Sequence, residues 1–210
     1  MPTVLQPYVL TTLQKVKDAL GISDTNSDTF LNEMINQASM WAQNYCGGRN
    51  FLSQQYVEVY DTREMSQKIF LRQRPLTSDN INGLLVVKYR SGIPTNPLWV
   101  VYDANGYVVY MPEGYIHFYG QLPKVHQGLQ ITYTAGYLID FTNEFDNTKH
   151  TLPEDLTWAV TQLVSREMNL RLTKGQALIL TEGQRIQFKD ALDPDIQGIL
   201  DSYKTAHYAV

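Results

Sequence analysis

Residues 28–46, DTFLNEMINQASMWAQNYC, set Leu31, Met34, Ile35, Ala38, Trp41, Ala42 and Tyr45 at three- and four-residue steps, with Gly47 and Gly48 directly behind. That is the period of one face of an α-helix, closed by residues that accept a left-handed turn. Residues 153–172, PEDLTWAVTQLVSREMNLRL, repeat the pattern with Leu156, Val160, Leu163, Val164, Met168 and Leu172. Pro153 suits a first helical turn, and Glu154 and Asp155 sit where the helix dipole favours negative charge. Arg171, Lys174 and Gly175 mark the expected end.

Between these helices the period changes. Runs at 56–60, 69–71, 84–89, 99–102, 107–110, 115–119 and 129–134 are β-branched or aromatic and are split by turn residues. Their links leave no room for crossover helices, so the sheet is predicted to be antiparallel. Asp103-Ala104-Asn105-Gly106 is expected to form a tight hairpin turn between the aromatic runs on either side.

Two shorter helices flank this arrangement. Thr11 and Gln14 form a capping pair ahead of Leu13, Val16 and Leu20, with Gly21 as a stop, and Asp193-Pro194 opens a last helix carrying Ile196, Ile199, Leu200 and Tyr203 on one face. None of these helices buries its apolar face alone. The predicted fold class is therefore α+β, a discontinuous helical bundle of residues 1–52 and 150–210 with an antiparallel β-sheet or sandwich inserted at 53–149.

Composition bounds the function. With 210 residues, 43% hydrophobic and 18% charged, the chain can build a sizeable core. The single cysteine, Cys46, forms no internal disulfide and no all-cysteine metal site, and a partly buried free thiol is expected. There is no apolar run of membrane-spanning length, and residues 1–10 have no basic leader, so neither a membrane span nor secretory export is expected. A net charge of −4 argues against wrapping nucleic acid but is compatible with DNA passing nearby.

No chemistry-bearing pattern stands out. His117, His126, His150 and His207 lack metal-ligand spacing, and His117 reads as a cross-strand surface residue. Asp103, Glu113, Glu154 and Asp155 have structural reasons to stand at turns or helix starts, and no phosphate loop, nucleophile elbow or HExxH is present. No catalytic, cofactor-binding or metal residue is predicted. Tyr102, Tyr107, Tyr110, Tyr115, Tyr119 and Tyr133 crowd the sheet zone, as a stacking platform for sugars or bases or, in the absence of a basic stripe, as a wet subunit interface. Partner-docking candidates are Ile179, Arg185, Ile186 and Phe188 in the extended stretch 176–192, with Tyr203 and Tyr208 in the tail. A frayed end and a docking arm both fit that tail.

The stretch Leu10-Thr11-Thr12-Leu13-Gln14-Lys15-Val16-Lys17-Asp18-Ala19-Leu20-Gly21-Ile22, then Asp28, Leu31, Ile35, Ala38 and Tyr45-Cys46-Gly47-Gly48-Arg49, resembles the opening of phage head-tail connector (adaptor) proteins. Gln73-Arg74-Pro75-Leu76, Ile131-Thr132-Tyr133-Thr134-Ala135-Gly136-Tyr137 and Leu152 to Val160 look like landmarks of the longer, sheet-containing members. Departures are the doubled glycine before Arg49, the long 140–150 loop, and Asp201-Ser202-Tyr203-Lys204 where the family tends to close with proline, tyrosine and arginine. The resemblance implies a structural subunit of the virion neck, assembled in the host cytoplasm. It implies a dodecameric ring beneath the portal protein, a channel for genomic DNA without sequence-specific binding, and the next neck or tail protein below. No catalytic residues are implied. Other neck rings, such as head-closure or tail-completion proteins, and a carbohydrate-binding virion module using the tyrosine sheet are the alternatives.

Overall fold

The computed structural model describes residues 4–63, 67–77, 85–93, 96–111, 113–173 and 192–204. Four α-helices are present: α1 (Leu13–Leu20), α2 (Asp28–Tyr45), α3 (Glu154–Thr173) and α4 (Pro194–Ser202). Seven strands lie between α2 and α3: β1 (Gln54–Tyr60), β2 (Lys68–Phe70), β3 (Val86–Ile93), β4 (Asn96–Val101), β5 (Tyr107–Tyr110), β6 (Tyr115–Phe118) and β7 (Leu129–Ala135). The α+β class with helices at both ends of the sheet region is as the sequence predicts. The chain divides into two compact units, a helical one (up to Phe51 and again from Leu138) and a β unit from Leu52 to Tyr137. The loop after Leu138 thus groups with the helices, whereas the sequence reading carried the insert to 149. Its physical tie is the Lys15–Glu144 ion pair, which holds the loop to α1.

In the helical unit α3 is the central element, packed by α1, α2 and α4. Leu31, Ile35 and Ala38 of α2 and Val160, Leu163 and Val164 of α3 are all fully buried. Leu172, predicted on the same stripe, is half-exposed. Four-residue steps overrun a 3.6-residue turn by about 40° each, so three of them from Val160 turn Leu172 roughly a third of the way round the helix. The α1 cap is displaced by one residue from its predicted place. Thr12 is the N-cap and accepts from the Lys15 N–H, while Thr11 is buried and hydrogen-bonds Thr161 of α3 at 2.6 Å. The Thr161 hydroxyl donates to the Thr157 carbonyl, so Thr11 must donate in turn. Gly21 ends α1 in the left-handed region at φ 68°, where a side chain would be strained.

Helix α4 starts where Asp193 accepts from the N–H groups of Asp195 and Ile196 and pairs with Arg166 of α3. Cys46 is fully buried, and its thiol donates to the Leu200 carbonyl at 3.4 Å. Burial pushes its pKa up to about 11.

The β unit is a sandwich: a four-stranded sheet in the order β1-β7-β3-β4 over a three-stranded sheet in the order β2-β6-β5, all strand pairs antiparallel. One core joins them, with Leu129, Ile131, Tyr133 and Val87 from the larger sheet and Ile69, Ile116 and Phe118 from the smaller. Strand β7 alternates buried and half-buried along its length, the signature of a strand with one face inward.

The predicted hairpin at Asp103-Ala104-Asn105-Gly106 does not form. Strand β4 pairs with β3 and β5 pairs with β6, so the segment between them is a corner leading from one sheet to the other. Asp103 accepts from the Asn105 N–H, and residues 104–106 make a single 3-10 turn. Aspartate and asparagine cap such a turn as readily as they form a hairpin, so local sequence does not separate the two. The short hairpin lies one element later, where Tyr110 pairs with Tyr115.

Candidate interaction surfaces

Strand alternation sends the second face of each sheet outward. On the smaller sheet that face carries Lys68 and Phe70 from β2, Tyr115 and His117 from β6, and Val108 and Tyr110 from β5, as cross-strand neighbours. Phe70 and Tyr115 meet at 5.3 Å, Tyr110 stacks on Tyr115 at 4.4 Å, and the Lys68 ammonium lies 5.3 Å from the Tyr115 ring. These contacts hold the aromatic side chains in one arrangement before any partner arrives. On the larger sheet the outward positions include Val57 and Val59 of β1, Thr132 of β7, Lys88 of β3 and Val101 of β4, with β1 and β4 as its two edges. Exposed valines on an edge strand are the kind of surface that assembly covers.

The tyrosines do not form one platform. Tyr133 and Tyr107 are buried in the core, and Tyr102 packs edge-on against Phe118 at 5.4 Å. Only Tyr110, Tyr115 and Tyr119 of the six look outward. Odd and even positions of a strand face opposite ways, so a count of tyrosines overstates the outer face. His117 is on that face, as expected, with a buried Nδ1 that has no hydrogen-bond partner among the described residues.

Among the described residues no three His, Cys, Asp or Glu side chains gather as a metal site would require. Glu154 and Asp155 stand at the start of α3, as predicted. His150 is buried, accepting from the Asp140 N–H at 3.1 Å and lying 5.0 Å from the Phe141 ring. His126 binds the Asp61 carboxylate, whose pKa is held well below the usual range, first by hydrogen bonds from Arg63 and also by His126.

Of the docking candidates, Ile179, Arg185, Ile186, Phe188 and Tyr208 lie outside the described residues. Tyr203 is described, and it folds onto its own unit. Its hydroxyl donates to the Asp155 carboxylate at 2.8 Å, its ring meets Phe51 edge-on at 6.0 Å, and its carbonyl accepts from Arg49. Lys204 lies 4.1 Å from the Tyr45 ring and pairs with Asp201. The chain through Lys204 is therefore a clasp on the helical unit, and a docking arm would start beyond it. A chain ending at Ser202 should be less stable than one ending at Lys204 by about 1–3 kcal/mol, for the lost ring packing and hydroxyl bond, and should melt at a lower temperature. Equal melting of the two would show that the clasp contributes nothing.

Sequence reasoning read 140–150 as a polar loop but missed the bonds that brace it and the exposed Phe145 it carries. Its ends are joined by the Thr151 N–H to the Leu138 carbonyl and by the Leu138 N–H to the Thr151 hydroxyl, both at 2.9 Å. Inside, Asp140 accepts from Thr142 and Asn143, which hold its pKa down to about 2, and Asp146 accepts from Thr148. At the tip Phe145 is 97% exposed. The usable signal is a phenylalanine between two acidic residues in a stretch rich in Asp, Asn and Thr, which are turn formers.

A helical unit interrupted by a sandwich, with preformed aromatic and apolar groups on its outer surfaces, has the make-up of a structural protein that works by assembly. Residues 9–206 match the head completion protein family, and the chain belongs to that family. By family it is thus a head-completion protein, a structural part of the particle. No curated protein matches the sequence. Among solved structures, a chain from "Neck of empty GTA particle computed with C6 symmetry" is similar at 16% identity, with 97% of this chain and 93% of that one covered and a TM-score of 0.58. A chain from "Virion of native gene transfer agent (GTA) particle" is similar at 16% identity, with 98% and 94% covered and a TM-score of 0.57. At such identity the likeness is one of fold.

Proposed function

We propose that this protein is the adaptor of a phage neck. Copies close into a ring beneath the portal, leave an open channel for the genome, and offer their far side to the next neck or tail protein. The match to the head completion family over residues 9–206 carries this reading, because it spans both units rather than one. The head completion family is a structural one, so no enzymatic activity is proposed.

Twelve copies is the expected number, which is compatible with the sixfold symmetry used to compute the neck that holds the similar chain. The net charge of −4 suits a conduit that lets DNA pass, since tight binding draws its affinity from neutralised phosphates. Free subunits are expected to meet the portal and close on it, because ring contacts form most readily between copies already held side by side. Cryo-electron microscopy of the purified protein bound to its portal, reconstructed without imposed symmetry, should show a closed ring of twelve. One or two copies on the portal would overturn the adaptor reading.

A further inference from the structure

We propose that the ring contact is a knob in a hole: Phe145 of one copy seats in the hollow between Tyr8, Met40 and Arg49 of the next. This rests on the ring reading above and names the surface that builds it.

The knob is unusual in being both bare and held. A scattered exposed leucine or valine needs no explanation, but a phenylalanine 97% exposed at the tip of a closed loop leaves a whole ring in water. The 138–153 loop is tied at its ends, capped inside by Asp140 and Asp146, braced by His150, and fastened to α1 through Glu144 and Lys15. Such a loop orders little on binding, so the gain from burying its ring is not spent on fixing the chain.

The hole lies on the same helical unit, where Met40 and Gln43 of α2 approach Tyr8, Arg49 and Asn50. Its volume is about 180 Å³. An apolar cavity of about 150 Å³ holds a benzene molecule, so one phenyl ring fits. Met40 is 50% exposed there, and a thioether makes a favourable partner for an aromatic ring. Charge agrees with size. Phe145 stands between Glu144 and Asp146, and among the described residues the charged side chain that lines the hollow is the basic Arg49. Glu33, close enough to raise the Tyr8 pKa after burial has done so, is outside that lining.

A second copy is the occupant that these observations select, because the chain itself carries both halves of the match. Phe145 does not line the hollow of its own unit, so knob and hole are different patches. A contact between two different patches repeats head to tail and closes into a ring when the rotation allows.

The test uses the full chain with its portal. Phe145→Ala should leave thermal unfolding of the free subunit unchanged, since the ring touches little in it, and should raise the concentration needed for ring closure by about thirtyfold or more. In a chain carrying both Met40→Cys and Phe145→Cys, assembled on the portal at a concentration raised to offset the lost ring, mild oxidation should give a ladder of covalent oligomers, and either substitution alone should give none. Cys46 is buried with its thiol pKa near 11, so it stays out of the reaction. Rings formed by Phe145→Ala at the wild-type concentration would overturn the knob and leave the adaptor reading standing, as would cross-links from position 145 to the portal alone. Failure of the wild-type chain to form a ring would overturn both.

Discussion

Leu163→Asp should abolish cooperative folding of the helical unit. Leu163 is fully buried on α3, the helix that α1, α2 and α4 all pack against, and Val160 and Val164 beside it are equally dry. The variant loses the transfer energy of a leucine and places a carboxyl group where no water reaches. Together these cost about 5 kcal/mol, against a total stability on the order of 5–15 kcal/mol for a whole domain. The pH dependence has a definite sign. In the folded variant the buried carboxyl has a raised pKa and keeps its proton, while in the unfolded chain it ionises at about 4. The folded state then binds more protons, so the deficit grows as pH rises above about 4 and shrinks in acid. Leu172→Asp is the paired control: that side chain is half-exposed and should melt within about 1 kcal/mol of wild type. Equal melting of Leu163→Asp and wild type at neutral pH would show that this face of α3 is not core.

Gly136→Ala should be nearly as damaging, for a backbone reason. Gly136 has φ 110°, outside the range side chains adopt, and an added Cβ would come 2.6 Å from the Leu52 carbonyl oxygen and 2.8 Å from the Ser53 nitrogen. Those atoms belong to main chain held in place: the Ser53 N–H donates to the Tyr137 carbonyl at 2.8 Å, and the Gly136 N–H donates to the Pro75 carbonyl at 2.9 Å. The junction where the chain enters and leaves the β unit must open, or the residue must bear the clash. Strain alone costs about 1–3 kcal/mol, and with the displaced backbone the loss should reach about 3 kcal/mol or more. For a chain of this length that is a fall of roughly 10 °C in Tm. Hydrogen exchange should locate the damage, with the Ser53 and Gly136 amides losing protection first. A Tm within about 2 °C of wild type would show that the junction is loose.

The sequence by itself determined the order of elements and most of the residues of α2 and α3 that turn inward, because a 3.6-residue repeat of apolar side chains has one stable use, burial against another helix. The same applies to the alternation of β7, and to Gly21 and Asp193, whose capping roles follow from local chemistry. It also carried the family, through short landmarks spread from Leu10 to Val160. Tertiary structure alone decided which strands are neighbours. Asp103 to Gly106 suits a hairpin and a corner equally, and only the pairing of β4 with β3 and β5 with β6 distinguishes them. It decided that Tyr133 is core while Tyr110 is surface, since the facing sheet makes one side of a strand the inside. And it turned Tyr203 from a candidate arm into a clasp, and a polar loop into a braced mount for Phe145. Both outcomes depend on distant partners, Asp155 and Phe51 in one case and Lys15 in the other, and no local pattern announces contacts between residues so far apart in the chain.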